Sequence, residues 1–141
     1  MIQLARQDQD IEHCFAVMRQ LRPHLQANAF VATVRAQMAE GYQLAYLRDG
    51  DAIACVAGFR LQRTLIAGKS LYIDDLATDE TIRSRGHGAA MMAWLRQLAM
   101  AEGCGEIHLD SGVQRHRAHR FYLNRNMDIV AHHFSELLKH D

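Results

Sequence analysis

Arg83-Ser84-Arg85-Gly86-His87-Gly88 stands between a strand pattern and a long helical one. Two glycines one residue apart let backbone amides approach an anion closely, with no Cβ in the way. The first amides of the following helix lack intrahelical partners and carry the positive end of its dipole. Arg83 and Arg85 add charge. Such a loop suits a diphosphate. A Walker-type loop would end in Gly-Lys-Ser/Thr, which is absent. A dinucleotide fingerprint would need a third glycine, where position 91 is Met, and the mostly polar stretch Thr78–Arg85 separates strand from glycines.

Outward from the loop, Gly86–Ala101 carries Ala89, Met92, Ala93, Leu95 and Leu98 at helical spacing and ends before Gly103 and Gly105. Upstream, Tyr42–Leu47, Ala52–Leu61 and Ser70–Ala77 read as strands. The first two are joined by Asp49-Gly50-Asp51, a tight hairpin turn. Tyr42, Tyr46 and Phe59 read as ordinary strand residues. Ile2–Ala5 predicts a short first strand. From the N-cap candidate Asp8, the residues Ile11, Cys14, Phe15, Val17, Met18 and Leu21 predict one helix, closed by Pro23. A second helix runs from about Asn28 to Gly41. Glu106–Asp110 predicts a brief strand, Arg115–Arg125 a helix and Asp128–Leu137 a last strand. The order is β-α-α-β-β-β-α-β-α-β, a mixed α/β arrangement.

The 141 residues suit one domain, 1–141, with a single core. Lys plus Arg and Asp plus Glu both number 16, so electrostatic capture of nucleic acid or an anionic membrane is not expected. Cys14, Cys55 and Cys104 are an odd number in apolar surroundings. With no signal-peptide or membrane-span pattern, they point to a reducing, cytoplasmic location. His116-x-x-His119 and His132-His133 lack the Cys pair or acidic residue that would complete a ligand set, so no metal is expected.

A second motif stands downstream. Ala118-His119-Arg120-Phe121-Tyr122-Leu123-Asn124-Arg125-Asn126-Met127 resembles the Ala-x-x-Phe-Tyr-x-x-x-Gly-Phe/Met segment of the GNAT acetyltransferases. Arg83, Gly86 and Gly88 match that superfamily's Arg/Gln-x-x-Gly-x-Gly/Ala loop for coenzyme A. Both lie in the family's order, and His108–His116 is similar to a bacterial subgroup of small members. Asn126 replaces the usual glycine, and Asn is the next-best residue for a left-handed cap. Arg115 stands where the family often has an Asn on the cofactor arm, so Gln114 or Asn124 is the substitute.

The resemblance implies a GNAT fold: a mostly antiparallel mixed sheet flanked by about four helices, with a splayed strand pair holding acetyl-coenzyme A. It implies direct acetyl transfer to a primary amine of a small molecule or peptide. The implied cofactor contacts are Leu76, Ala77, Thr78, Arg83, Ser84, Arg85, Gly86, His87, Gly88, Ala89 and Asn124, with a backbone N–H near Leu76 polarising the thioester carbonyl. Tyr122, a phenol protonated at neutral pH, is the implied general acid toward the departing sulfur. Asp75 and Asp74 are candidates for the base or for the group that meets the acceptor's ammonium. Only one would face the slot unless a bulge intervenes. Asp110 ranks beside them. Arg22 and His24, in the connection Arg22-Pro23-His24-Leu25, and the stretch Ile129–Ser135 are candidates for the acceptor pocket. Family habit adds a homodimer. The alternative function is an acyl-coenzyme A sensor that binds without turnover.

Overall fold

The computed structural model describes residues 1–83 and 85–139 and divides the chain into two compact units, Met1–Leu109 and Asp110–Asp141. The first unit is built on a five-stranded sheet. Its strands are β1 (Ile2–Leu4), β2 (Tyr42–Asp49), β3 (Ala52–Thr64), β4 (Gly68–Thr78) and β5 (Glu106–Leu109), adjacent in that order. The first three pairings are antiparallel and β4 with β5 is parallel. A parallel pair needs a crossover. Here a 3₁₀ turn, Glu80–Ile82, and helix α4, His87–Ala101, supply it. Helices α1 (Asp8–His13), α2 (Phe15–Leu21) and α3 (Ala27–Met38) lie between β1 and β2 in sequence.

Strand alternation distributes the core over the two faces of the sheet. Tyr46, Val56 and Ala77 lie opposite one another in register and pack with Ile11, Val17, Met18, Phe30 and Val34 of α1–α3. Phe15 and Phe30 meet edge to face, with ring centroids 5.2 Å apart. The opposite parity supplies Phe59 and Leu71, fully buried like Met91 and Leu95 of α4. Trp94 of α4 meets Phe59 edge to face at 6.3 Å. Most of these side chains are those the helical and strand periodicities single out.

Two expectations are corrected. The single helix expected from Asp8 to Pro23 is two, because the Cys14 N–H bonds the Ile11 carbonyl at 3.0 Å, three residues back, and tightens that turn. Five α-helices therefore replace about four. The strand expected at Asp128–Leu137 does not form: residues 128–139 carry no strand or helix. A strand exists only with a ladder partner, which periodicity alone does not supply.

Burial raises the Cys14 thiol to about 12, with Asp10 adding to the shift, and the Cys55 thiol to about 11. Both residues are fully buried, whereas Cys104 is only partly so. The thiolate is the reactive species. A native titration with an aromatic disulfide at pH 8 is therefore expected to label Cys104 alone, and all three thiols after denaturation; rapid native labelling of Cys14 or Cys55 would contradict the packing.

Candidate active site

The loop before α4 is shaped by one left-handed residue. Gly86 caps the helix at φ 80°, and a Cβ there would meet open space rather than protein. The first intrahelical bond runs from the Ala90 N–H to the Gly86 carbonyl, 2.9 Å, so the amides of His87, Gly88 and Ala89 precede it. No acidic residue lies in the first turn of α4. By contrast, α1 opens with a capping box and carries Asp8 and Asp10 in its first turn. An uncapped helix start with open space before it fits a phosphate. Arg83 and Arg85 are exposed beside it, and Ser84 lies outside the described residues.

Asp49, at the tip of the β2–β3 hairpin, reaches this loop. Its Oδ2 accepts from His87 Nε2 at 3.2 Å and lies 3.6 Å from Arg85 Nη1. Sequence reasoning treated Asp49 only as a turn residue; nothing local marks a contact across 38 positions.

β4 presents an edge to the same end of the sheet. Only Ser70–Ile73 pair with β5, as Ser70 with Glu106 through Ile73 with Leu109, and the chain of β4 then runs on to Thr78. The Asp79 N–H donates to the Ala54 carbonyl of β3 at 2.8 Å. Antiparallel donors recur at every second residue. Asp75 and Ala77 therefore aim their N–H groups at β3, and Leu76 and Thr78 aim theirs at the edge that β5 leaves uncovered.

A bulge sits at the point where β4 outruns β5. Gly58 lies opposite Asp75 and Phe59 opposite Ile73, which leaves Asp74 as the extra residue. Both carboxylates are held by arginines. Asp75 Oδ1 accepts from Arg22 Nε at 3.0 Å, and Arg22 Nη2 donates to the Asp74 carbonyl, also at 3.0 Å. Asp74 Oδ2 accepts from Arg60 Nε at 2.9 Å. Burial raises the Asp74 carboxyl above its ordinary value, against the opposing pull of Arg60. Arg22 thus ties the connection after α2 to the bulge, while its neighbour His24 is exposed.

The second oxygen of Asp75 accepts from the Tyr42 hydroxyl at 2.8 Å. Tyr42 belongs to β2, two strands away, and its ring crosses β3 directly over Gly58. Any Cβ at Gly58 would overlap the hydroxyl end of that ring. Burial, followed by the charge of Asp75, pushes the Tyr42 phenol upward, so it stays a donor. Sequence reasoning passed over Tyr42, Gly58 and Arg60. A glycine inside a strand pattern was the available signal, since it marks a bulge or a close approach.

In the second unit, helix α5 (His116–Asn124) carries Tyr122 and Asn124. Its end is a Schellman motif. Asn126 is left-handed at φ 65°, its N–H bonds the Leu123 carbonyl at 3.1 Å, and the Met127 N–H bonds the Tyr122 carbonyl at 3.2 Å. Tyr122 packs edge to face on Phe121, centroids 5.4 Å apart. The Asp110 carboxylate lies 2.9 Å from His133 Nδ1. His116 and His119 also meet edge to face at 6.2 Å, and His119 Nε2 lies 2.7 Å from the Gly112 carbonyl. Among the described residues no group of three His, Cys, Asp or Glu is placed to hold a metal, and no helix is long and apolar enough to cross a membrane.

The sequence model of the Acetyltransferase (GNAT) family matches residues 7–127, which takes in the bulge, the loop and α5. This chain is a GNAT acetyltransferase family member. An uncharacterized N-acetyltransferase of Bacillus subtilis (strain 168), YhdJ, is 31% identical to it over 112 residues, 79% of each chain. Two solved structures share its fold. One is a tetramutant of the BH1408 protein from Bacillus halodurans, with a TM-score of 0.80 at 23% identity over 98% of this chain and 99% of that one. The other is AAC(6')-Iy bound to the bisubstrate analog CoA-S-monomethyl-acetylneamine, with a TM-score of 0.85 at 12% identity over 99% of this chain and 97% of that one. The mixed, mostly antiparallel open sheet is the GNAT arrangement that the resemblance implies, and its one parallel pair is β4 with β5.

Proposed function

We propose that this GNAT protein transfers an acetyl group from acetyl-coenzyme A to a primary amine of a small molecule or peptide. The uncapped start of α4 carries this reading: Gly86 at φ 80°, open space before it and no acidic side chain in the first turn. The amides of His87, Gly88 and Ala89, flanked by Arg83 and Arg85, would hold the diphosphate, and Ser84 is a further candidate contact from the sequence motif. The uncovered edge at Leu76, Ala77 and Thr78 would pair the amides of the pantetheine arm as a neighbouring strand does. Asn124 is a further candidate for the arm. When bound, the cofactor supplies an activated thioester.

The residues then divide the work. The Leu76 N–H donates to the carbonyl oxygen as charge develops on it. The acceptor's ammonium would give one proton to Asp75 or Asp74, directly or through water. The neutral nitrogen would then bond to the thioester carbon as the carbon–sulfur bond breaks, and Tyr122 would give its proton to the sulfur. The proton released from the acylated nitrogen would return through water to the Tyr122 oxygen. Asp74 and Asp75 place negative charge where the acceptor's ammonium would enter. Arg22, His24 and Asp110 are the further acceptor contacts we propose.

A free-thiol release screen over amino acids, polyamines, aminoglycosides and peptides tests this reading. At least one amine class is expected to consume acetyl-coenzyme A. Binding without release, for every class, would favour the sensor instead. That second reading has one observation behind it: both carboxylates at the bulge are already matched by guanidinium groups.

Asp49 bears on affinity. Its carboxylate occupies Arg85 and His87, so Asp49→Asn is expected to tighten coenzyme A binding about 2- to 5-fold at low ionic strength. The gain should vanish in high salt. Calorimetry at two salt concentrations checks it; weaker binding at low salt would show that Asp49 orients the loop instead.

A further inference from the structure

The bulge carries more charge than an ammonium needs. Asp74 and Asp75 bring two negative charges and Arg22 and Arg60 two positive ones, so the four side chains sum to zero. The two arginines are not held alike. Arg60 is tied into the fold. Its Nε donates to Asp74 Oδ2 at 2.9 Å and its Nη1 to the Glu40 carbonyl at 3.4 Å, and its guanidinium lies 5.7 Å from the centroid of the Tyr42 ring. Arg22 caps the end of α2, and its side chain is 44% exposed against 27% for Arg60.

The nitrogens that Arg22 uses decide what it can still bind. Its bonds to Asp75 Oδ1 and to the Asp74 carbonyl leave from Nε and Nη2. In a planar guanidinium those two nitrogens share one edge, and Nη1 with the other Nη2 proton forms a second. Either edge matches the two oxygens of a carboxylate. A carboxylate can therefore add to the second edge while Arg22 keeps Asp75. Asp75 stays in place as well, because its other oxygen accepts from the buried Tyr42 hydroxyl at 2.8 Å. An ionised carboxylate has about four lone-pair sites, so Asp74 and Asp75 can still accept from an ammonium.

We propose that the acceptor is a small amino acid, whose ammonium meets Asp75 and Asp74 while its carboxylate forks onto the Nη1–Nη2 edge of Arg22. This rests on the acetyl-transfer reading and narrows it. A zwitterion adds one charge of each sign to a neutral set, so each new charge meets an opposite one. A polyamine or an aminoglycoside brings only positive charge and sets it against Arg22 and Arg60, which selects against such acceptors. A plain alkylamine leaves the second edge of Arg22 to water.

Thiol-release kinetics on the full chain test it, with straight-chain amino acids of increasing length each compared with its own carboxamide. The carboxamide keeps the amine and the size and removes the negative charge. For at least one length, kcat/KM should favour the amino acid by at least about tenfold, chiefly through KM. Arg22→Gln should cut that preference at least about fivefold. Arg22→Lys, which keeps the charge without the fork, should fall between. A merely structural loss at Arg22 would slow both members of a pair alike and leave their ratio unmoved. Carboxamides used as well as their amino acids at every length would overturn the substrate class and leave acetyl transfer standing. So would a preference that survives Arg22→Gln, or transfer to polyamines or aminoglycosides and to no amino acid. No thiol release with any amine would overturn both readings.

Discussion

Tyr122→Phe is expected to lower turnover about 10- to 1000-fold while leaving coenzyme A affinity within about twofold. The substitution removes one hydroxyl and keeps the ring, so the edge-to-face contact with Phe121 persists. The Schellman turn holding the end of α5 uses only the Tyr122 carbonyl and is untouched. The hydroxyl removed is the group proposed to protonate the departing sulfur. Steady-state kinetics with the best amine from the screen, alongside calorimetry of the free cofactor, measures the two effects apart. Unchanged turnover would remove Tyr122 from the mechanism. A parallel loss of cofactor affinity would assign it to binding.

The second large effect is structural. Gly58→Ala is expected to destabilise the protein by about 2–4 kcal/mol, combining overpacking with a displaced hydrogen bond. That corresponds to a melting temperature lower by roughly 6–15 °C for a domain of this size. A methyl group at Gly58 overlaps the hydroxyl end of the Tyr42 ring, so the ring must shift from its place over β3. The Tyr42 hydroxyl then loses Asp75, while Asp75 keeps Arg22. Phe at position 42 separates the causes. Tyr42→Phe loses the hydrogen bond without the clash and should cost about 1–2 kcal/mol. Equal melting temperatures for Gly58→Ala and the parent would contradict the packing over β3.

Much of this was legible in the sequence, for physical reasons that differ from place to place. The loop and its helix were readable because two glycines and an apolar period of 3.6 are local signals. Asn126 was readable as a left-handed cap because few residues other than glycine take that conformation without large strain. The uncovered β4 edge followed from the family resemblance, and the register now assigns its outward amides. Contacts across the sheet were not legible. The Tyr42–Asp75 bond spans 33 positions and the Arg22–Asp75 pair 53, and no periodicity encodes such pairings. The bulge was considered only as a condition on Asp74 and Asp75, although Gly58 opposite them marked where it falls. The last strand was read from alternation alone, and alternation says which faces would be apolar but supplies no ladder partner.

The account rests on the helix start at Gly86 as the seat of a phosphorylated cofactor. Calorimetric titration of the full chain with coenzyme A, repeated on Gly86→Val, tests that most directly. A Cβ-branched residue cannot hold the left-handed cap without strain. The predicted result is one-to-one binding in the micromolar range, weakened by at least about tenfold in the variant. No heat of binding up to millimolar coenzyme A, or equal affinity in the two proteins, would contradict it.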